Sequence, residues 1–421
     1  MQHLDIIVCG CGPGGMAAAL LLHRAGHRVR IFEQFETPQP VGSGLMLQPT
    51  GMAVLEDLGL AQRMRGLGRR IDRLFGRVVP SNRIVLDVRY DALAGGEIRG
   101  LAVHRGALFV VLYDAVRLAG IPVETARTVA RVDRAAGGRT ILVLSDGERL
   151  QPVDLIVDAL GARSPIADQV EPDCIHKPLP YGALWATVPW PGDGPGNPFG
   201  AHDLEQRYAT ARLMVGVLPV GRRHESGPQE ATFFWSVKPC DYESWRAAGL
   251  DAWKSQARAV WPQTEALLAA ITDPDQLVLA SYGHHTLRRP VGEGIAVIGD
   301  AAHATSPQLG QGANMALLDA LALSRSLEAS SALPTALAGY AQRRRRHVRL
   351  YQAMSAVFTP FYQSDSRVLP VLRDHLVQPL CAVPGVPRLL AAIVAGSIGR
   401  PLNGLTGSAA QKAAEPSPAS G

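Results

Sequence analysis

At 421 residues the chain is too long for one small core and suits two domains or one large α/β unit. Hydrophobic residues make up 47% and charged residues 19%, with a formal charge of only +5, which is the profile of a soluble globular protein. No apolar run reaches the roughly 18 residues of a membrane span, and five cysteines without metal-ligand spacing argue against a zinc site or a disulfide framework.

Residues 4–10 read as a buried strand, apolar or β-branched apart from Asp5. It begins at once, so no cleaved leader is expected, and reduced thiols point to a cytoplasmic enzyme. Residues 14–24 read as a helix of small and apolar residues ended by Gly26, and residues 27–33 as a second strand. Such a βαβ unit implies a parallel sheet. Between strand and helix stands GCGPGG, residues 10–15. Gly10 permits the tight turn, Gly12 lets the backbone approach a pyrophosphate, and Gly15 lets the helix sit close to the strand. Pro13 and Gly14 complete a helix start whose free N–H groups face the phosphates. Glu33, 18 residues after Gly15, can accept from both hydroxyls of a ribose. The constellation implies a dinucleotide without choosing between NAD and FAD.

Further along, residues 108–118 read as a helix, with strands near Val123 and at 140–144 and 155–157. From Tyr181 the texture changes to runs at 183–188, 213–218 and 232–237 joined by Gly/Pro-rich turns, the mark of an antiparallel sheet with one covered face. A Trp- and Ala-rich helix is expected over residues 245–261. The α/β pattern returns at Ile295. The arginines at 343–346 sit in a helical pattern and read as a solvated helix face, not a nucleic-acid site.

A second glycine turn, GDAAHATSPQLGQGANMALLDA at residues 299–320, follows an apolar run and opens another helix near Asn314. Asp300 can hold a hydroxyl of a ribityl or ribose chain. Gly310, Gly312 and Ala313 present backbone N–H groups at a helix start, which carries about half a positive charge. That suits a group that becomes anionic, such as the pyrimidine edge of a reduced flavin. NAD has no use for a second such site, whereas the AMP and isoalloxazine ends of FAD lie far apart.

This stretch resembles, nearly residue for residue, the second flavin motif of the single-component flavoprotein aromatic hydroxylases, the family of para-hydroxybenzoate hydroxylase, salicylate hydroxylase and the ubiquinone-biosynthesis hydroxylases. The resemblance runs from the first strand to about Arg344. It implies FAD as cofactor, Asp300 on the ribityl chain, Pro307 along the reacting face, and the Gly312 and Ala313 amides at the pyrimidine edge. VGSGLMLQPTGMAVLEDLGL, residues 41–60, resembles the family segment that passes the flavin, which brings in Gly44 and Gln48. AVHRGALFVVL, residues 102–112, resembles the family's Arg-x-x-Leu helix start, so Arg105 would reach the FAD phosphates or ribityl chain. The backbone of Val129 is assigned to the adenine.

One family motif is altered. VDALGARSPIA, residues 157–167, keeps Gly161, Arg163 and Ser164, but Leu160 stands where an Asp belongs and Ala167 where an Arg belongs. Asp158 lies two residues earlier on the same strand face and is taken as a partial replacement, with Gly161 beside it. The change weakens the case for NADPH and leaves that for FAD. The Asp158 arrangement also resembles that of geranylgeranyl reductases and flavin halogenases, but the Trp-x-Trp-x-Ile-Pro segment of the halogenases is lacking, since WATVPW has the wrong spacing.

The expected plan is α/β. A Rossmann-type FAD-binding domain with a parallel sheet comprises residues 1–172 and 280–360. A mostly antiparallel sheet domain for substrate is inserted at 173–279, a helical cap follows at 361–407, and a disordered tail at 408–421. The resemblance implies hydroxylation of an aromatic or polyketide-like apolar molecule through a flavin C4a-hydroperoxide, with O2 and NAD(P)H as co-substrates and a dry pocket. Tyr282 and His284 share one strand face and are the catalytic candidates, with His285 on the other. His303 reads as a brace for the second turn. The pocket candidates are Tyr181, Trp185, Met214, Phe233, Phe234 and Trp235, about half of which must be core. The set selected is Tyr181, Trp185, Met214, Phe233 and Trp235. The apolar stretch 377–398 is read as a pocket cap, with a membrane surface or a dimer contact as alternatives. No metal is expected, and the chain is read as a monomer or homodimer. The rival readings are an FAD oxidase or dehydrogenase that does not use NADPH, and a flavin-binding protein without turnover.

Overall fold

A computed structural model describes residues 3–39, 42–93 and 98–405. Strand β1 (Asp5–Cys9), helix α1 (Pro13–Arg24) and strand β2 (Arg28–Phe32) form the βαβ unit, with β1 and β2 parallel from Asp5 opposite Arg28 to Cys9 opposite Phe32. A Cβ on Gly15 would run into the Gly10 carbonyl oxygen, so only glycine lets α1 start this close to β1. Next come β3 (Gly44–Leu47), β4 (Arg73–Val78), β5 (Ile84–Arg89), β6 (Gly100–His104), α2 (Arg105–Leu118), β7 (Val123–Glu124) and β8 (Leu155–Asp158).

The second sheet is built from β9 (Gly182–Pro189), β10 (Asp203–Ala209), β11 (Leu213–Arg222) and β12 (Gln229–Val237), with α3 (Leu250–Val260) against it and β13 (Val278–Ala280) at its edge. The chain returns through β14 (Val291–Gly292) and β15 (Ile295–Val297) to α4 (Gly312–Glu328). It ends with α5 (Leu333–Tyr362), α6 (Leu369–Cys381) and α7 (Val386–Val394).

The first sheet has the order β14-β15-β8-β1-β2-β7 and is parallel except at its β14 edge. Helices α1, α2 and α4 bury one face of it, through Leu20 to Leu22, Leu108, Leu112 and Leu317 to Leu323 among others. The second sheet has the order β13-β9-β12-β11-β10-β4-β5. Residues 73–89, expected with the first domain, therefore belong to the second sheet. Their link is a parallel pairing of β4 with β10 across more than 120 residues, which no local pattern signals.

Three further expectations are corrected. The helix over 245–261 is two helices, Tyr242–Ala248 and α3, because Gly249 takes φ +85° and breaks the chain direction. Arg344 does not face solvent but is fully buried on α5. The C-terminal helices pack on β5 and on the turn Tyr90–Ala92 at the edge of the second sheet, so the expected cap lies on that edge. The expected tail at 408–421 and Val41 lie outside the described residues.

Candidate functional site

One cleft of about 550 Å³ runs from the first glycine turn, past the second, to the inner face of the second sheet. Of the expected flavin contacts, Gly10, Gly12, Pro13, Gly14, Gly15, Glu33, Gly44, Gln48, Arg105, Gly161, Asp300, Pro307, Gly310, Gly312 and Ala313 all line it.

At one end, α1 starts on Gly12 with no side-chain cap, so its first N–H groups remain open. A Cβ on Gly12 would meet no protein atom within 4 Å, so this backbone borders open space. The Glu33 carboxylate accepts from the Cys11 N–H at 2.8 Å and the Phe35 N–H at 3.1 Å, which fixes it beside the turn with lone pairs to spare.

At the other end, Gly310 takes φ +61° and α4 starts on Gln311, again without a side-chain cap. Asn314, buried, staples this turn to β3. Its Oδ1 accepts from the Gln48 N–H at 2.7 Å, and its Nδ2 donates to the Met46 and Gly310 carbonyls at 3.0 and 2.9 Å. Sequence reading took Asn314 only as a helix start. Gln48 lines the cleft while its Oε1 accepts from the Tyr90 hydroxyl at 2.5 Å.

Behind the second turn lies a buried ionic cluster. The Asp319 Oδ2 accepts from the Gly299 N–H at 2.8 Å and from His303 Nε2 at 2.6 Å, and its Oδ1 accepts from Arg344 Nε at 2.6 Å. Burial opposes the Asp319 charge, but His303 and Arg344 outweigh it and hold the carboxyl well below the usual carboxylate range. His303 is thus spent on Asp319.

These groups fit FAD. Two open helix N-termini face one cleft, and Asp300 and Arg105 line it as exposed side chains with no ion pair to the protein among the described residues. The side chain of Val129 packs with Leu142 and Leu144 under the first sheet, and its expected contact with the adenine is through the backbone. One expected contact lies elsewhere. Asp158 is fully buried and accepts from the Ser164 hydroxyl at 2.6 Å and the Leu160 N–H at 3.0 Å, so it shapes the loop that places Gly161 instead of reaching the cleft. Burial, opposed by these bonds, pushes its pKa up to about 6.

The remainder of the cleft is apolar. Trp185 and Met214 line it as expected, joined by Phe234, Leu74, Leu204, Leu218 and Val278. Phe234 lies across Gly216 of the neighbouring strand, where a Cβ would run into the ring, and Trp185 packs on it at 4.8 Å between centroids. Phe233 and Trp235 point the other way and meet Trp253 of α3 edge-on at 5.9 and 6.0 Å. They are core, because alternation along β12 gives the inner face to Phe234. Tyr181 also leaves the pocket, since its hydroxyl donates to Asp365 at 2.8 Å. Gln363, unforeseen, lines the cleft from the end of α5.

Of the two catalytic candidates only Tyr282 lines the cleft. Its oxygen accepts from Trp185 Nε1 at 2.8 Å, and burial pushes its pKa up to about 12. His284 stands outside. Its strand pairs for only two residues, with Lys177 and Pro178, and Nε2 accepts the Ser306 N–H at 3.3 Å. Burial and Lys177 lower its pKa. It braces the Pro307 turn.

The sequence pattern of the FAD binding domain family matches residues 3–355. The 6-hydroxynicotinate 3-monooxygenase of Bordetella bronchiseptica is 26% identical over 343 residues, covering 77% of this chain and 82% of its own. The kynurenine 3-monooxygenase of Salinispora tropica is 26% identical over 375 residues, covering 83% and 78%. The crystal structure of Klebsiella pneumoniae HpxO complexed with FAD and uric acid matches with a TM-score of 0.78 at 21% identity, over 94% of this chain and 98% of that one, a likeness of fold.

Proposed function

The chain belongs to the FAD binding domain family, and on that premise we propose that it is an FAD-dependent monooxygenase hydroxylating an aromatic or similarly apolar small molecule, with O2 and NAD(P)H as co-substrates. One observation carries this reading: a single cleft joins two uncapped helix N-termini to an apolar aromatic pocket. Bound FAD would supply electron storage and oxygen activation. The α1 terminus and Arg105 would hold its phosphates, Glu33 its ribose, Asp300 its ribityl chain, and the α4 terminus its pyrimidine edge.

The substrate end works by exclusion and orientation. Trp185, Met214, Phe234 and Leu218 keep water from the reacting carbon. Among the described residues no carboxylate lines this part of the cleft, since Glu33 and Asp300 belong to the cofactor end. Tyr282 is neutral at pH 7 and cannot serve as base. Trp185 N–H can only donate, so the Tyr282 oxygen is its acceptor and the Tyr282 proton is left to donate. That proton would hold a substrate oxygen and favour its ionised form.

Anaerobic mixing of the purified yellow protein with NADPH or NADH, with and without hydroxylated aromatics, tests the reading. Flavin bleaching that quickens with substrate is expected. Failure to bleach with either nicotinamide contradicts the monooxygenase reading and favours an oxidase or dehydrogenase, for which the Leu160 and Ala167 substitutions are the motive.

A further inference from the structure

Thirteen large hydrophobic side chains stand exposed among the described residues, and seven fall in one segment of 22 residues. Four of these, Val371, Leu372, Leu376 and Leu380, lie on one side of α6 at three- to four-residue spacing, and Val368 just before the helix and Val383 just after it extend the stripe. Each is between 41% and 63% exposed, and Leu389 on α7 adds 51%. The other side of the pair is turned inward: α7 packs Ala391, Ala392 and Val394 against Leu74, Val88 and Leu218, and α6 buries Pro370 and Arg373. The stripe is therefore not a misplaced core face, because the module has a core face already.

No single helix among the described residues is long and apolar enough to cross a membrane. Helices α6 and α7 together meet the length and composition, but they bend by 113°. A bent, one-sided pair suits lying on a surface better than spanning it. The charge around it selects the surface. Residues 366–405 carry four arginines and one acid, Asp374. Arg373 is buried and holds Asp374 at 2.7 Å, so the other arginines are Arg367, Arg388 and Arg400, and the exposed Asp365 just before them is held by Lys238 at 2.8 Å. Arg367 is exposed beside Val368. Arg83 reaches the stripe from the neighbouring hairpin, with its guanidinium 3.2 Å from the Asp374 carbonyl and 2.9 Å from His375 Nδ1. Asp87, under the helix, is taken by Arg73 and Arg89, leaving Asp91 as an exposed carboxylate on the adjoining turn. An apolar stripe edged mainly by cations is complementary to an anionic bilayer.

We propose that α6 and α7 dock this protein on an anionic lipid surface, with the stripe from Val368 to Val383 entering the headgroup boundary. The test is flotation of the full-length FAD-loaded protein with vesicles of phosphatidylcholine alone and of phosphatidylcholine mixed with phosphatidylglycerol. The protein should float with the anionic vesicles, less with the neutral ones, and less at high salt. The double variant Leu376→Glu/Leu380→Glu, which touches no cleft residue, should lose roughly tenfold or more in partitioning while keeping flavin absorbance and melting temperature. Absence of flotation with both compositions overturns the proposal, as does a double variant that floats like the parent. A dimer in sedimentation equilibrium that the same variant dissociates would assign the stripe to a second copy instead.

Discussion

The two glycine turns face the same cleft but are held in different ways. The first is a steric construction. Gly15 meets the Gly10 carbonyl, a Cβ on Gly10 would come within 2.5 Å of the Ala159 oxygen, and Glu33 pins the turn through backbone N–H groups. The second is an electrostatic one. Gly310 and Gly312 have room, only Gly299 coming close to the Ala316 side chain, and its position depends on Asp319 bonded at once to Gly299, His303 and Arg344, with Asn314 as a staple. A turn fixed by close backbone contact is sensitive to a methyl group. A turn fixed by a buried carboxylate is sensitive to charge and to acid.

Substitutions can break this contrast. The largest effect is expected for Asp319→Asn, which leaves Arg344 charged and buried without its partner. Such losses run to about 3–5 kcal/mol, measurable as a fall in urea midpoint. Next is Gly15→Ala, where overpacking between backbone atoms should cost on the order of 1–3 kcal/mol or prevent soluble expression. Gly12→Ala is its control. The added methyl meets no protein atom, so stability should change by less than about 0.5 kcal/mol while FAD affinity falls. Equal stability losses at Gly12 and Gly15 would undo the steric account of the first turn.

Acid should separate the turns as well. The Asp319 carboxyl is depressed in the folded protein, so the unfolded chain binds its proton first as pH falls. The stability it contributes is complete above the unfolded value of about 3.9 and is lost as pH falls from there through the folded value. Asp319→Asn should flatten that limb of the acid-unfolding curve. The smallest effect is at the substrate end. Tyr282→Phe removes the donated proton and should lower kcat by roughly tenfold, the size of one hydrogen bond of about 1–1.5 kcal/mol, with flavin binding unchanged.

Much of the cofactor end was legible because its chemistry is local. A strand, a glycine turn and a helix are contiguous in sequence, so GCGPGG and the stretch 299–320 carried their own context. The parts that were not legible depend on distant partners. Arg344 looks like one of four solvated arginines until Asp319, 25 residues away, is found under it. Strands β4 and β5 join the second sheet only through a pairing with β10. On β12 every residue from Ala231 to Val237 is buried, so alternation defines two faces without telling which meets the cleft. That is why Phe233 and Trp235 were exchanged for Phe234. Asp158 sat on the right strand, but the Ser164 hydroxyl and the Leu160 N–H claim it.

The claim on which the rest depends is that the two turns are the two ends of one flavin dinucleotide site. It is tested most directly by titrating the apoprotein with FAD and with FMN and following flavin fluorescence. FAD should bind tightly and FMN at least about a hundredfold more weakly, since FMN lacks the half that the α1 terminus and Glu33 would hold. FMN binding as tightly as FAD would mean that the first turn takes no part in holding the flavin, and would contradict the single-site reading.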